Sequence, residues 1–294
     1  MTTLYLLIVV GFVVWFVAGH LPQAKGLLTK LTVTAGMAVL GLSFCYFTMS
    51  ALVWSKLQRF FQAGNLHISQ WLYVFMVGYL GRYIPGKVPM VIGRWLSLQP
   101  FGYRRGAVFA AAGYDLFFGL VGMIIAGAGF AIFIDTIRSE YQWILGLLVL
   151  LTTVIVVYTP RTFVWVLNVI AKTNGNLLMP AKATSGFLAC YIAMSVSYGC
   201  VFYVFCKAAT DSSSVTASVA IASVCLSSVL GMVSLFAPSG LGVREGALVY
   251  LLGTWAHLDT THAVLLSFSY RIVLVVAEFI FFLFVFAWHK LHRR

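Results

Sequence analysis

Long apolar runs separated by short polar breaks dominate the chain. They predict ten helices, near residues 4–19, 31–54, 67–83, 86–98, 104–134, 141–159, 183–208, 215–237, 240–254 and 262–289. Four of these helices are too short or too interrupted to span a bilayer, which takes about 20 residues. The other six are predicted to cross it. The pattern therefore predicts an all-α integral membrane protein with about six transmembrane helices.

The amino-acid composition also indicates a lipid environment. Hydrophobic residues make up 62% of the chain and charged residues only 9%, which is too little polar surface for a soluble domain of this length. We therefore expect a single membrane domain over residues 1–294. The formal net charge is +12, but the basic residues lie in short connections and at helix ends, so nucleic-acid binding is not expected. The five cysteines lie in apolar stretches without metal-ligand spacing, so neither a metal nor another cofactor is predicted.

The four shorter helices form two consecutive pairs, each interrupted at a proline. The first interruption contains Pro85 and Gly86, and the second contains Pro238 and Gly240. Proline removes a helix hydrogen bond, and glycine permits the turn that follows. We predict that each pair is re-entrant, which means that it enters the membrane and returns to its own side.

The two halves of the chain, about 1–138 and 139–294, have related patterns. Their prolines stand 153 positions apart, and each proline follows an aromatic residue by two positions and a glycine by seven. These residues are Tyr83 and Gly78 in the first half, and Phe236 and Gly231 in the second. With three spans in each half, the two halves begin on opposite sides of the membrane. The sequence therefore predicts an inverted repeat, with chance similarity between apolar segments as the alternative.

Lysine and arginine residues in the loops predict the orientation, because positively charged short loops stay in the cytoplasm. With the amino terminus inside, ten such cations face the cytoplasm and four face outward. The inner ones are Lys56, Arg59, Arg104, Arg105, Arg161, Lys172, Lys182, Lys290, Arg293 and Arg294, and the outer ones are Lys25, Lys30, Arg138 and Lys207. We expect a multi-pass protein of the cytoplasmic (inner) membrane with both termini in the cytoplasm. The inner connection over 162–178 is predicted to be either a surface helix or a plain loop.

Eight charged residues remain at or near membrane depth once the loop residues are set aside. The cations are Arg82, Lys87, Arg94, Arg244 and Arg271, and the acids are Asp115, Glu245 and Glu278. An ionised group at this depth costs several kcal/mol unless it is paired, hydrated or bound to a ligand. Internal pairing would leave two positive charges, and an anionic ligand would balance them.

The positions of these charges suggest where the ligand binds. Arg82, Lys87 and Arg94 surround the first proline, and Arg244 and Glu245 follow the second. A helix that restarts after a break presents unpaired N–H groups and a positive dipole end, which suit a phosphate or carboxylate. The five cations are therefore candidate headgroup-binding residues. The two prolines, with the glycines at 86 and 240, are candidate helix-break residues.

The same charges also have purely structural explanations. Arg82 and Lys87 would then reach lipid headgroups from a shallow hairpin, and Arg244 would pair with a neighbouring acid. Arg271 would pair with Glu278, two helical turns along. Asp115 has no obvious local partner, and either neutralises one of the arginines at 82 and 94 or carries a coupling proton. Glu245 and Glu278 are likewise candidate coupling or charge-balancing residues.

Residues 78–88 (GYLGRYIPGKV), 93–94 (GR) and 237–245 (APSGLGVRE) together form a recognisable pattern. They resemble the membrane domain of lysylphosphatidylglycerol synthase/flippase proteins, a family that includes stand-alone flippase-like members. The resemblance implies a lipid-translocating fold with two re-entrant helix pairs. It points to these matching functional positions: Arg82, Pro85, Lys87, Arg94, Pro238, Gly240, Arg244 and Glu245. Pro89 and Ser239 depart from the aromatic residue and the glycine that the family pattern favours, which leaves the headgroup open.

Three classes of function fit these features. Translocation of an anionic phospholipid or lipid-linked glycan headgroup explains the embedded cations, the breaks and the repeat, and it is favoured. A lipid-binding accessory subunit of a lipid or glycan synthase would need no transport cycle. A membrane-embedded lipid or glycosyl transferase would need a catalytic acid or base. Nucleotide hydrolysis is not expected, because Val88 follows Gly81-x-x-x-x-Gly86-Lys87 where a phosphate-binding loop has Ser or Thr. No polar stretch exceeds a loop, so we expect no soluble catalytic domain and no enzyme activity.

Overall fold

The computed structural model describes residues 32–84, 88–158, 179–210, 214–234 and 238–292, together with the single positions 11 and 19. Within these ranges the regular structure is helical, without a strand. The described α-helices are α1 (Val33–Phe61), α2 (Ile68–Leu80), α3 (Val88–Leu98), α4 (Arg105–Ala131), α5 (Ser139–Tyr158), α6 (Ala181–Ala209), α7 (Ala217–Val233), α8 (Val243–Trp255) and α9 (Thr260–Leu291). The predicted helix over 4–19, the connection over 162–178, and Pro85, Gly86 and Lys87 lie outside the described residues.

Five of the described helices are long and apolar enough to cross a membrane: α1, α4, α5, α6 and α9. This confirms the prediction of an all-α, multi-pass membrane protein. The five helices coincide with five of the six predicted spans. The total of six spans also depends on the segment over 4–19, and it stays a prediction. α5 lies at the periphery, where its Trp143 side chain is 82% exposed, as expected for a helix that faces lipid tails.

Side chains at the helix starts explain several of the observed boundaries. Thr32 and Thr216 each accept a hydrogen bond from a backbone N–H three residues later, at the starts of α1 and α7. Asp259 does the same at the start of α9, where it accepts from the N–H of His262 at 3.2 Å. Hydrogen bonds from the side chain and backbone of His262 hold the pKa of the exposed Asp259 carboxyl below its usual range.

α6 packs closely between α4 and α7 because glycines lie at both contacts. A Cβ atom on Gly122 of α4 would lie 2.9 Å from the backbone carbon of Tyr191. A Cβ atom on Gly199 of α6 would lie 2.8 Å from the Cα atom of Ile221. Small residues allow this backbone approach, which is a common way to stabilise helix contacts in a membrane. These contacts fix the wall of the bundle next to the cavity described below.

Two sets of four helices follow the same order along the chain: long, short, short, long. The first set is α1 to α4 and the second is α6 to α9. Packing contacts correspond between the sets, because α4 packs on α7 as α9 packs on α2, and α1 packs on α4 as α6 packs on α9. In each set the two short helices also pack against each other.

A short 3₁₀ turn lies at the break in each pair of short helices. We call Gly81–Tyr83 the first break turn and Pro238–Gly240 the second break turn. The two break turns contact each other, although about 150 residues of chain separate them. The charged residues around the two breaks are therefore brought to one place.

Candidate functional site

A central cavity of about 210 Å³ lies where the two sets of helices meet. Eight of the nine described α-helices contribute to its wall, all except α5. Both break turns also form part of the wall. Most of the remaining wall is aromatic or apolar, and includes Tyr46, Phe47, Phe75, Tyr79, Met90, Tyr191, Met194 and Tyr198. Three arginines and two carboxylates enter this mainly apolar space: Arg82, Arg94, Arg244, Asp115 and Glu278.

The local sequence explains how Arg82 reaches the cavity. Ile84 precedes a proline and has extended backbone angles, with φ −87° and ψ 136°, because the proline ring disfavours helical backbone at the preceding residue. α2 therefore ends in the first break turn instead of continuing. The Arg82 side chain remains 23% exposed. Its guanidinium carbon lies 4.1 Å from the centre of the Tyr79 ring, a cation–π contact.

Glu278 of α9 balances the charge of Arg82. Nη2 of Arg82 donates a hydrogen bond to Oε1 of Glu278, and the hydroxyl of Tyr83 donates to Oε2 at 2.5 Å. The Glu278 side chain is buried, so it depends on these partners for the stability of its charged form. The pair joins the first break turn to the last described helix.

Arg271 of α9 holds the second break turn. Nη2 of Arg271 donates to Oγ of Ser239 at 2.5 Å and to its backbone oxygen at 3.3 Å. Nε of the same arginine lies 3.8 Å from Oε1 of Glu245. The alternative prediction that Arg271 pairs with Glu278 is wrong, because these two side chains, about 10 Å apart along the helix axis, reach different break turns. α9 therefore fastens both breaks.

The backbone of the second break explains its glycines. Ser239, Gly240 and Gly242 have φ values of 53°, 71° and 82°, in the left-handed region that favours glycine. Gly240 also lies directly against Gly231, because a Cβ atom at position 240 would be 2.7 Å from the Gly231 backbone. Ser239 also has a positive φ although it carries a side chain. Its hydroxyl oxygen accepts a hydrogen bond from Arg271.

Glu245 caps the amino-terminal end of α8. Its Oε2 accepts a hydrogen bond from the N–H of Gly242 at 2.8 Å, and the residue is buried. We predicted that N–H groups at this restart would face an anion, but Glu245 already occupies the N–H of Gly242. Within the described part of the chain, neither Glu245 nor Arg271 belongs to the cavity wall. Their contacts stabilise the second break turn, and neither side chain lines the cavity.

Arg94 forms a second buried ion pair beside the cavity. Its Nη1 donates to Oδ2 of Asp115 at 2.6 Å, and the hydroxyl of Tyr191 donates to Oδ1 of the same carboxylate. The Arg94 side chain is only 1% exposed, while that of Asp115 is 16% exposed. Gly78 leaves space for the Arg94 side chain, since a Cβ atom at position 78 would lie 2.3 Å from Cγ of Arg94. The sequence left Arg82 and Arg94 as possible partners of Asp115, and in the structure the partner is Arg94.

Arg244 differs from the other three described arginines at this depth. Among the described residues no carboxylate lies within salt-bridge distance of it. Its guanidinium carbon lies 5.3 Å from the ring centre of Tyr198. Its Cβ would lie 3.0 Å from a Cβ on Gly231, so that glycine lets Arg244 approach α7. The described cavity wall therefore has one more positive than negative charge.

Sequence reasoning missed the tyrosines that complete the two ion pairs. Tyr83 had been noted only as an aromatic residue near a proline, and its hydroxyl binds Glu278. Tyr191 lies in an apolar stretch of α6, and no local motif marks it. The glycines at 78 and 231 had been noted for their spacing, and each lies beneath an arginine of the following short helix.

Comparisons with known proteins leave the family open. A scan against protein-family models and a search of curated proteins gave no match to this chain. The resemblance of the break motifs to the lysylphosphatidylglycerol synthase/flippase membrane domain therefore stays a prediction that rests on those motifs. Among the described residues, no cluster of three or more His, Cys, Asp or Glu side chains is arranged to hold a metal ion.

Proposed function

We propose that this chain translocates an anionic phospholipid or lipid-linked glycan headgroup across the membrane, and that the phosphate binds in the central cavity. The observation that carries the proposal is Arg244, which faces the cavity without an acidic partner among the described residues. A lone guanidinium in an apolar bundle is costly unless water or an anion compensates it. Arginine also binds phosphate through two parallel hydrogen bonds.

A lipid suits this cavity better than a free anion. Its walls are largely aromatic and apolar, so they tolerate the base of a lipid tail beside the phosphate. The tails can remain in the bilayer while only the polar head crosses. Arg82 is the second proposed contact, because its side chain is partly exposed while it pairs with Glu278. Lys87, which lies outside the described residues, is proposed to assist during movement.

Arg94 and Arg271 have a different part in this proposal. Both side chains are almost fully buried and each lies against a carboxylate. Arg94 therefore joins α3 to α4 and Arg271 holds the second break turn, instead of binding the headgroup. Asp115 balances the charge of Arg94, and Glu278 competes with the phosphate for Arg82. That competition would prevent the lipid from being held too tightly.

The membrane arrangement belongs to the same proposal. We propose six spans, two re-entrant pairs and an inverted repeat, in an inner membrane with both termini in the cytoplasm. The corresponding packing contacts of the two four-helix sets support the repeat. Rocking of one such half against the other is a known way to expose a shared site to each side of the membrane in turn.

Lipid binding by purified protein tests the proposal. Wild type, Arg244→Gln and Arg138→Gln would be purified from membranes, and the bound lipids extracted and identified by mass spectrometry. Arg138 is exposed in the connection before α5, so its variant controls for the loss of one positive charge. We expect anionic lipid to co-purify with wild type and Arg138→Gln but not with folded Arg244→Gln. Equal anionic lipid in all three proteins would contradict the proposed site.

A further inference from the structure

A winding stripe of side chains that can form hydrogen bonds follows α1. Tyr46, Ser50, Trp54, Gln58 and Gln62, the last directly after the helix, recur at every fourth position. Each therefore lies one turn from the next, and the stripe turns by about 40° at each step. Tyr46 and Ser50 line the central cavity. At the other end Gln62 binds the backbone of the connection before α4, donating to Gly102 and accepting from the N–H of Arg104. The stripe therefore extends from the cavity to the surface, a distance of about 24 Å for 16 residues of helix.

The middle of this stripe is buried and lacks partners from the protein. Gln58 is 0% exposed, and within the described chain neither its amide nitrogen nor its amide oxygen has a hydrogen-bond partner. The same holds for Nε1 of Trp54, Nε1 of Trp71 and the hydroxyl of Tyr103. Buried polar atoms are rarely left unpaired, because each lost hydrogen bond costs about 1–3 kcal/mol. Five such atoms in one place therefore indicate a ligand.

These side chains are neighbours in space. The rings of Trp54 and Trp71 lie 5.8 Å apart, and those of Trp71 and Tyr103 also lie 5.8 Å apart. Gln58 is one helical turn from Trp54. The Arg94 guanidinium carbon lies 4.6 Å from the Trp54 ring centre, so the group reaches the Arg94–Asp115 ion pair at the cavity wall.

The chemistry of the group selects water over an anion. Two indole N–H groups, a phenol and the Gln58 amide can donate, and these donors would suit either ligand. The amide oxygen of Gln58, however, needs a donor, which a fully deprotonated anion cannot provide. Water donates and accepts, and buried water commonly satisfies such groups with two to four hydrogen bonds.

We propose that Trp54, Gln58, Trp71 and Tyr103 bind a chain of ordered water molecules that joins the central cavity to the surface at Gln62. The ligand is water, and the site is distinct from the headgroup site around Arg244. Its consequence is that the Arg94–Asp115 pair is hydrated from one side of the bundle. This inference does not depend on which lipid is bound, or on whether one is moved.

The corresponding part of α6 is packed with apolar side chains. Its carboxyl-terminal half places Phe202, Phe205 and Cys206 in the core, all fully buried. Tyr270 packs against both phenylalanines and directs its hydroxyl toward the backbone oxygen of Tyr198. The water route is therefore proposed only at the end of the bundle where α1 finishes. The orientation predicted from the loop cations makes this the cytoplasmic end.

Radiolytic hydroxyl-radical footprinting tests the route, because radicals form from water and label side chains next to bound water. The full chain would be irradiated in lipid nanodiscs, with Tyr270 as the internal reference for a buried aromatic residue whose hydroxyl has a partner within the protein. We expect labelling of Trp54, Trp71 and Tyr103 to exceed that of Tyr270 several-fold. Labelling no greater than that of Tyr270 overturns the proposal.

The variant Gln58→Met adds a second test, in which the direction of the change in melting temperature is informative. If water binds Gln58, the variant loses hydrogen bonds, so we expect a lower melting temperature and a loss of most labelling at Trp54 and Trp71. If the site is dry, removing two unpaired polar atoms raises the melting temperature. A raised melting temperature, or labelling that persists in the folded variant, overturns a route through Gln58.

Discussion

Arg82 and Glu278 are 196 positions apart in the chain, yet their side chains form an ion pair across the central cavity wall. The pair links the first break turn to α9, and seven residues earlier on α9 Arg271 links the second break turn. One helix thus holds both breaks through two oppositely charged side chains. Any anionic ligand that binds Arg82 must compete with Glu278 or share the guanidinium with it.

This competition predicts the effect of Glu278→Gln. The change leaves Arg82 without its acidic partner, so we expect a loss of about 3–5 kcal/mol of stability, as for other broken buried pairs. Binding of anionic lipid should nevertheless be preserved or tightened, because the guanidinium no longer faces a competing carboxylate. Thermal unfolding and lipid titration in detergent measure the two effects. Glu140→Gln, at an exposed position at the start of α5, is the control. Weaker lipid binding by the folded Glu278 variant would contradict the competition.

The arginines at 94 and 244 should respond differently to substitution. Arg94→Gln leaves the Asp115 carboxylate without its cation, so we expect it to lower the free energy of unfolding by about 3–5 kcal/mol. Arg244→Gln breaks no described ion pair, so we expect little loss of stability and a large loss of anionic-lipid binding. Thermal unfolding measured beside lipid binding separates the two. Equal destabilisation by both variants would show that Arg244 also has a structural partner.

The two glycines of the second break provide a matched test of its geometry. Gly240 and Gly242 both have positive φ values, so alanine at either position costs about 1–2 kcal/mol of backbone strain. Only Gly240 also packs on a neighbouring backbone, and overpacking there adds about 1–3 kcal/mol. We expect Gly240→Ala to lower the melting temperature more than Gly242→Ala does. The reverse order would mean that the break does not pack against Gly231.

The charge distribution of the loops predicts the topology. Reporter fusions after Arg294 and in the connection over 135–140 should report opposite sides of the membrane, with the carboxyl terminus in the cytoplasm. The inner and outer loops differ ten to four in lysine and arginine, which is the basis of this expectation. If both reporters lie on the same side, the six-span arrangement is wrong.

Helix positions were predictable from the sequence because apolar runs and their breaks depend on local composition. The long helices α4, α5, α6 and α9 match predicted spans within three residues, and α1 continues seven residues beyond its predicted end. The sequence also identified the arginines and carboxylates of the cavity, since charges in apolar runs are rare and conspicuous. Their pairing was less accessible, because it depends on which helices meet in space.

Glu245 illustrates what local sequence reasoning could not provide. The sequence made it a candidate coupling or charge-balancing residue for the headgroup-binding cations. In the structure it is buried and binds the N–H of Gly242, so Glu278 is now the acid expected to affect lipid binding. The water-binding stripe on α1 was also missed, because Trp54 and Gln58 look like ordinary residues at a helix end until their burial is known.

Lipid translocation in liposomes tests the central claim most directly. Wild type, Arg244→Gln and Arg138→Gln would be reconstituted with nitrobenzoxadiazole-labelled phosphatidylglycerol, and movement between leaflets followed as loss of protection from dithionite. We predict faster movement with wild type and Arg138→Gln than in protein-free liposomes, and none above that background with folded Arg244→Gln. An accessory subunit would bind the lipid but leave its movement at background. Background movement with wild type, or wild-type movement with Arg244→Gln, would contradict the account.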